Sequence, residues 1–286
     1  MVEKKYTLGW FIRSLVLWLV AAIMLLPLFH IVSVSLSSNV EVLKNTITFW
    51  PKGFSLEAYK FILGKPLIYN AYKNTIIYTV TGTLAALFVL TTGAYALSKK
   101  RCPFAKPVNF LIMITMFFGG GMIPTYLAVK WLGLLDTLWA IILPTAFSAW
   151  NCIIMRSFFA SYPAEIEESG RLDGLNDIGV LWYLVLPTST AVLATIGLFC
   201  AVGMWNNFFG PLIYLSDESK YPLQIVLRQL ILQSISDGME TGPSLNIAEN
   251  SIKYGTILVS IIPIIAVYPW LQKYFVKGVM IGSIKG

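Results

Sequence analysis

Side chains able to do chemistry are few in this sequence and unevenly spread. Five of its fourteen carboxylates fall between Glu165 and Asp177. The single histidine, His30, and three distant cysteines, Cys102, Cys152 and Cys200, make no metal-ligand spacing. An odd cysteine count with no CxxC also argues against a disulfide framework. No G-x-x-x-x-G-K-[ST], HExxH or GxSxG occurs, so the sequence predicts no P-loop nucleotide site, no catalytic residue and no metal. The acidic segment has a different logic. Pro163 suits the first turn of a helix. Glu165, Glu167 and Glu168 then sit near its N-terminus, where the helix dipole favours negative charge. Gly174 suits a left-handed helix end, Asn176 can cap a second helix from Asp177, and Pro187 closes it. Ser169 and Gly170 are small. A helical glycine costs about 1 kcal/mol relative to alanine, which close approach of a partner would justify. These residues predict a stiff hairpin over 161–186, readable either as a docking element or as a well-capped solvated turn of the chain.

The elements that must hold this hairpin are apolar. Hydrophobic residues make up 57% of the 286 positions and charged residues 12%, where a soluble domain carries roughly 25% charged. The missing polar surface predicts lipid. Six charge-poor stretches, at about 14–36, 74–97, 107–129, 137–158, 187–209 and 253–274, are each long enough to cross as a helix, the only form an open chain takes in hydrocarbon. The first is too long for a signal peptide and lacks a clear cleavage site. The expected fold is therefore an all-α, polytopic membrane protein with six transmembrane helices, one transmembrane domain over 1–286.

The net charge of +7 reads as topology rather than nucleic-acid binding, because its cations cluster between apolar runs. The loop Lys99-Lys100-Arg101 to Lys106 holds four cations and no anion, whereas Lys130 in the next loop is balanced by Asp136. The positive-inside rule puts the former loop in the cytoplasm. Both termini and 161–186 then share that side, with 211–252 and the loop Ser37–Lys73 outside. Ionisable groups are nearly absent from the spans, unlike ion-coupled transporters. Uphill transport would need energy from another subunit; a secondary transporter, a channel or a tethering scaffold are the rival readings.

Glu168-Ser-Gly-Arg-Leu-Asp173-Gly174, followed by Trp182 and Leu186-Pro187, resembles the cytoplasmic EAA loop of ABC importer permeases, with Ser169 and Gly170 in place of the family's two alanines. Asn74-Thr75, Gly120-Gly121-Met-Ile-Pro124-Thr-Tyr126, Trp205 to Phe208 with Pro211-Leu212, and the ending Lys277 to Gly286 resemble the carbohydrate branch. The likeness is to the maltose-type second permease subunit, nearest the subgroup for complex or acidic oligosaccharides such as aldouronate or alginate fragments; an ABC permease for a non-sugar solute shares the EAA loop, and only the branch motifs argue against it. The resemblance implies a type I permease in the bacterial cytoplasmic membrane, not itself an enzyme and binding no cofactor. Its implied partners are a second permease, an ATPase pair carrying ATP and magnesium, and an extracytoplasmic solute-binding protein. It assigns ATPase coupling to Glu165, Glu168, Ser169, Gly170, Asp173 and Gly174. It assigns a tail contact with the ATPase to Lys277, Gly278, Gly282 and Lys285, and contact with the binding protein to 211–252. Trp205, Asn206, Asn207 and Phe208 set amides beside aromatic faces, chemistry that suits a sugar; Trp205 and Phe208 are equally readable as interfacial aromatics.

Overall fold

The computed structural model describes residues 8–240 and 249–283 and is helical, with no strand among the described residues. In order these helices are α1 (Leu8–Ser35), α2 (Asn39–Leu43), α3 (Glu57–Leu63), α4 (Pro66–Ser98), α5 (Ala105–Phe117), α6 (Met122–Trp131), α7 (Leu138–Thr145), α8 (Ala149–Ala160), α9 (Ala164–Leu172), α10 (Asp177–Thr188), α11 (Thr190–Trp205), α12 (Phe209–Tyr214), α13 (Leu223–Glu240) and α14 (Glu249–Ser283). The fold is divided into two compact units, 1–69 with 226–263, and 70–225 with 264–286.

In the first unit, α1 is strongly apolar and none of its membrane-length window is buried, as for a helix whose solvent is lipid. The chain after α1 folds back on its end. Ser33 Oγ donates to the Phe49 carbonyl (2.6 Å), His30 Nδ1 to the Thr48 carbonyl (3.0 Å), and Ser35 Oγ meets the Tyr59 hydroxyl (2.8 Å). His30 thus has a structural partner, and its ring lies edge-on to Tyr254.

The second unit is built on α4. Ala86, Leu90, Ala94 and Tyr95 of that helix pack with Cys152, Met155 and Phe159 of α8, Val180 and Val185 of α10, and Ile196 of α11. Small residues permit this closeness: a Cβ on Gly82 would collide with Met204, and one on Gly197 would stand 3.3 Å from Leu87.

Two helices, Gly9–Ser35 and Pro66–Ser98, are long and apolar enough to cross a membrane unaided, and three bent pairs pass when joined. The structure breaks what the sequence reads as straight spans. Stretch 107–129 turns by 120° between α5 and α6. Gly119, Gly120 and Gly121 occupy the break, and Gly121 takes φ +82, open to glycine alone at little cost. Stretch 137–158 bends by 54° between α7 and α8; Pro144 lies in the last turn of the first piece, and the Ser148 hydroxyl caps the second. Stretch 187–209 starts later than expected. Pro187 lies inside the last turn of α10, and the 86° bend falls at Ser189. Because proline cannot donate to the carbonyl four residues back, the ladder opens into a π turn over Val180–Val185. The sixth stretch lies within α14, whose Asn250–Ala266 portion is apolar. Within 211–252, Leu223–Glu240 form α13.

Candidate functional site

The hairpin of α9 and α10 is built from local signals. Pro163 takes an extended conformation at the N-cap, one place before the first turn anticipated for it. At the other end of α9, Gly174 N donates to the Arg171 carbonyl (3.0 Å) and Leu175 N to the Gly170 carbonyl (2.9 Å). This pair of bonds is a Schellman closure, which demands a left-handed residue; Gly174 supplies it at φ +88. Two residues on, the Asn176 side chain accepts from Gly179 N (2.8 Å) and caps α10. At the far end the Leu184 carbonyl takes bonds from the hydroxyls of Thr188 (2.8 Å) and Tyr162 (3.3 Å).

A buried carboxylate fixes the hairpin to its neighbour. Glu167 is 5% exposed. It pairs with Lys99, from the loop after α4, and with Arg171 one turn on (3.5 Å). Arg171 also binds Asp177 (3.0 Å), so one guanidinium ties both helices together, and Asp177 pushes its high pKa further up. The Lys99 ammonium lies 4.4 Å from the centre of the Tyr95 ring, an attraction favoured by the ring's negative face.

The six predicted coupling residues divide. Glu165, Glu168, Ser169, Asp173 and Gly174 are exposed. Gly170 is buried, and a Cβ on it would stand 2.5 Å from Leu184 Cδ1. Its smallness serves α10 rather than an outside partner: Leu184 fills the volume that an alanine at this place would take. Other residues of the site escaped the sequence reading. Lys99 reads there only as a topological charge, although its partner lies 68 positions away. Leu172, with Ile166 one and a half turns before it, forms the exposed apolar part of α9; Leu172 is 90% exposed. Exposed leucine on an otherwise acidic, capped helix is the signal that was available.

Trp205, Asn206, Asn207 and Phe208 lie together at the break between α11 and α12. Each asparagine makes one local bond: Asn206 Nδ2 donates to the Val202 carbonyl (3.0 Å), and Asn207 Oδ1 accepts from Gly210 N (3.2 Å). Asn206 is exposed, and Trp205, Asn207 and Phe208 are half-buried. Of the tail residues, Lys277, Gly278 and Gly282 fall in the helical backbone of α14, and Lys285 lies outside the described residues.

A second ionic cluster sits at the opposite end of α4. Asp136, in left-handed backbone (φ +60), accepts from Ser216 N and Asp217 N (each 3.1 Å) and from Lys220 Nζ (2.6 Å). Lys220 first, then these two amides, hold its carboxyl down at about 2. Asn74 and Thr75 now have work: Asn74 Nδ2 donates to the Ser219 carbonyl (2.8 Å), and the Thr75 hydroxyl accepts from Leu223 N (2.8 Å). Tyr78 donates to the Lys220 carbonyl (2.8 Å).

Comparison with known proteins places this geometry. Residues 61–281 match the family described as "Binding-protein-dependent transport system inner membrane component". Two proteins of Bacillus subtilis (strain 168) are similar over 93% of this chain: "Polygalacturonan/rhamnogalacturonan transport system permease protein YtcP", 42% identical over 94% of its own length, and "Protein LplC", 45% identical over 91%. Among solved structures, a chain of a bacterial ABC transporter involved in the import of the acidic polysaccharide alginate superposes with TM-score 0.84 and 35% identity, covering 96% of this chain and 99% of that one. This multi-pass helical chain, with its pinned acidic hairpin, belongs to the inner-membrane permease family of binding-protein-dependent ABC transport systems.

Proposed function

We propose that this chain forms half of the transmembrane path of an ATP-driven importer of oligosaccharides, acidic ones above all, working by alternating access with a second permease. Support for the acidic class comes from the relatives, one named for polygalacturonan and rhamnogalacturonan, the other from an alginate importer. In this reading six spans cross the membrane with both termini and the hairpin in the cytoplasm, and 211–252 meets a solute-binding protein outside. An ATPase pair holding ATP and magnesium docks on the hairpin and closes, and the closure moves α9, α10 and α4 together.

The observation that carries the mechanism is the Glu167–Lys99–Arg171 anchor. A coupling element must pass force without bending, and the anchor, the Schellman closure and the Asn176 cap remove its freedom to bend. Glu165, Glu168, Ser169, Leu172 and Asp173 are the contact surface offered to the ATPase, and Gly174 is the turn that aims it. Lys277, Gly278, Gly282 and Lys285 supply a second contact between the ATPase subunits. Trp205 and Phe208 offer faces to sugar rings, with Asn206 and Asn207 offering the amide groups left over from their local bonds.

Uptake of labelled oligogalacturonides and of neutral maltooligosaccharides, in cells with and without this chain, tests the substrate class. Loss of oligogalacturonide uptake alone is the expected result. Loss of only the neutral sugar refutes the acidic class, and unaltered uptake of both refutes the sugar assignment.

A further inference from the structure

An open groove of about 830 Å³ runs between the C-terminal half of α4 and the length of α10, within the 300–1,000 Å³ range of small-molecule sites. Most of its wall is apolar, with Leu87, Phe88, Leu181, Trp182 and Leu193 along its length. One end is different: Lys99, Arg101 and Arg171 gather there with Asp177. Lys99 and Arg171 are engaged by Glu167 and Asp177. Arg101 is exposed and makes no ion pair among the described residues, so the mouth keeps an uncompensated positive charge. Tyr95 also lines the groove, and its buried hydroxyl has no hydrogen-bond partner among the described residues.

An apolar trough ending in a cationic mouth fits a molecule with a long hydrocarbon part and an anionic head. The trough lies along α4, a helix long and apolar enough to cross a membrane, so hydrocarbon chains are its natural surroundings. Basic pockets between transmembrane helices are known to take anionic headgroups. We propose that this groove holds one anionic phospholipid, its acyl chain along Leu87, Leu181 and Leu193 and its phosphate on Arg101 and Lys99. An acyl chain entering the groove only exchanges one apolar environment for another, so selectivity rests on the headgroup. The lipid touches both α4 and the hairpin, and so reinforces the same junction as Glu167. None of this depends on which solute is carried.

The test uses the complete importer, purified in detergent and offered dioleoyl-phosphatidylglycerol or dioleoyl-phosphatidylcholine, with retained lipid read by native mass spectrometry. Phosphatidylglycerol should be retained over phosphatidylcholine. Arg101→Ala should lower phosphatidylglycerol retention about fivefold, the effect of one basic residue near an anionic surface, and leave phosphatidylcholine unchanged. Ala96→Phe, which narrows the groove, should lower retention of phosphatidylglycerol in an intact complex. Equal retention of the two lipids, or no effect of Arg101→Ala, overturns the proposal. So does loss of the second permease from Ala96→Phe with phosphatidylglycerol retention unaltered, which would make the groove a protein interface.

Discussion

The two ends of α4 each meet an ionic cluster, and the clusters differ in how much water their carboxylates keep. The Glu167 side chain is 7% exposed and that of Asp136 33%. At Glu167 a cation from the loop after α4 and one from α9 converge on a carboxylate withdrawn from solvent, so removing it strands the Lys99 charge. At Asp136 the carboxylate works as a cap, taking two backbone amides and one exposed ammonium. The first arrangement fixes helices against one another; the second shapes a loop. The proposed coupling role draws on the first arrangement.

The largest effect should come from Glu167→Ala. Breaking a buried pair by removing one partner costs about 3 kcal/mol or more. The apparent melting temperature of the purified complex should fall sharply, with uptake falling with it; a fall no greater than that of Asp136→Asn would erase the distinction between the clusters. Next come Gly174→Pro and Glu168→Lys. Proline cannot adopt φ +88, and lysine reverses the charge of the exposed docking face. Both should insert normally yet hydrolyse ATP without sugar stimulation, and normal stimulation in both would refute the coupling role of the hairpin.

The Schellman turn and the Asn176 cap were legible in the sequence because each is decided within a few residues. The anchor was not. Glu167 reads as one of three glutamates beside a helix dipole, and nothing within its own segment separates the buried one from the exposed Glu165 and Glu168; that is decided by Lys99, far away in the chain. Charge-free length reported apolar stretches well but was blind to direction. Three glycines at 119–121 turn one stretch by 120°, and Pro187 shifts another break to Ser189. Gly170 was legible as small, but the neighbour it makes room for, Leu184, was not.

Gly170→Ala sharpens the point at smaller cost. Leu184 must turn aside, while the helix gains about 1 kcal/mol in propensity, so stability should move by less than for Glu167→Ala and coupling should survive. Loss of coupling in this variant would mean that Gly170 serves the ATPase directly. Asp136→Asn should have the smallest effect and the strongest sensitivity to salt. Its pH dependence has a definite sign: a carboxyl held down at about 2 contributes stability above its ordinary pKa and loses it as pH falls through the folded value. The melting difference between wild type and Asp136→Asn should therefore persist at pH 4 and close only as pH approaches about 2. Closure already near pH 5 would contradict the role given to the Asp136 carboxylate.

The most direct test of the anchored hairpin is the number of oligosaccharides taken up per ATP hydrolysed, in proteoliposomes holding the whole importer with Glu167 or with Glu167→Gln. Glutamine keeps the shape and removes the charge that holds Lys99 and Arg171. The anchored lever predicts continued ATP hydrolysis with a marked fall in uptake per ATP. An unchanged ratio in a folded complex would contradict it.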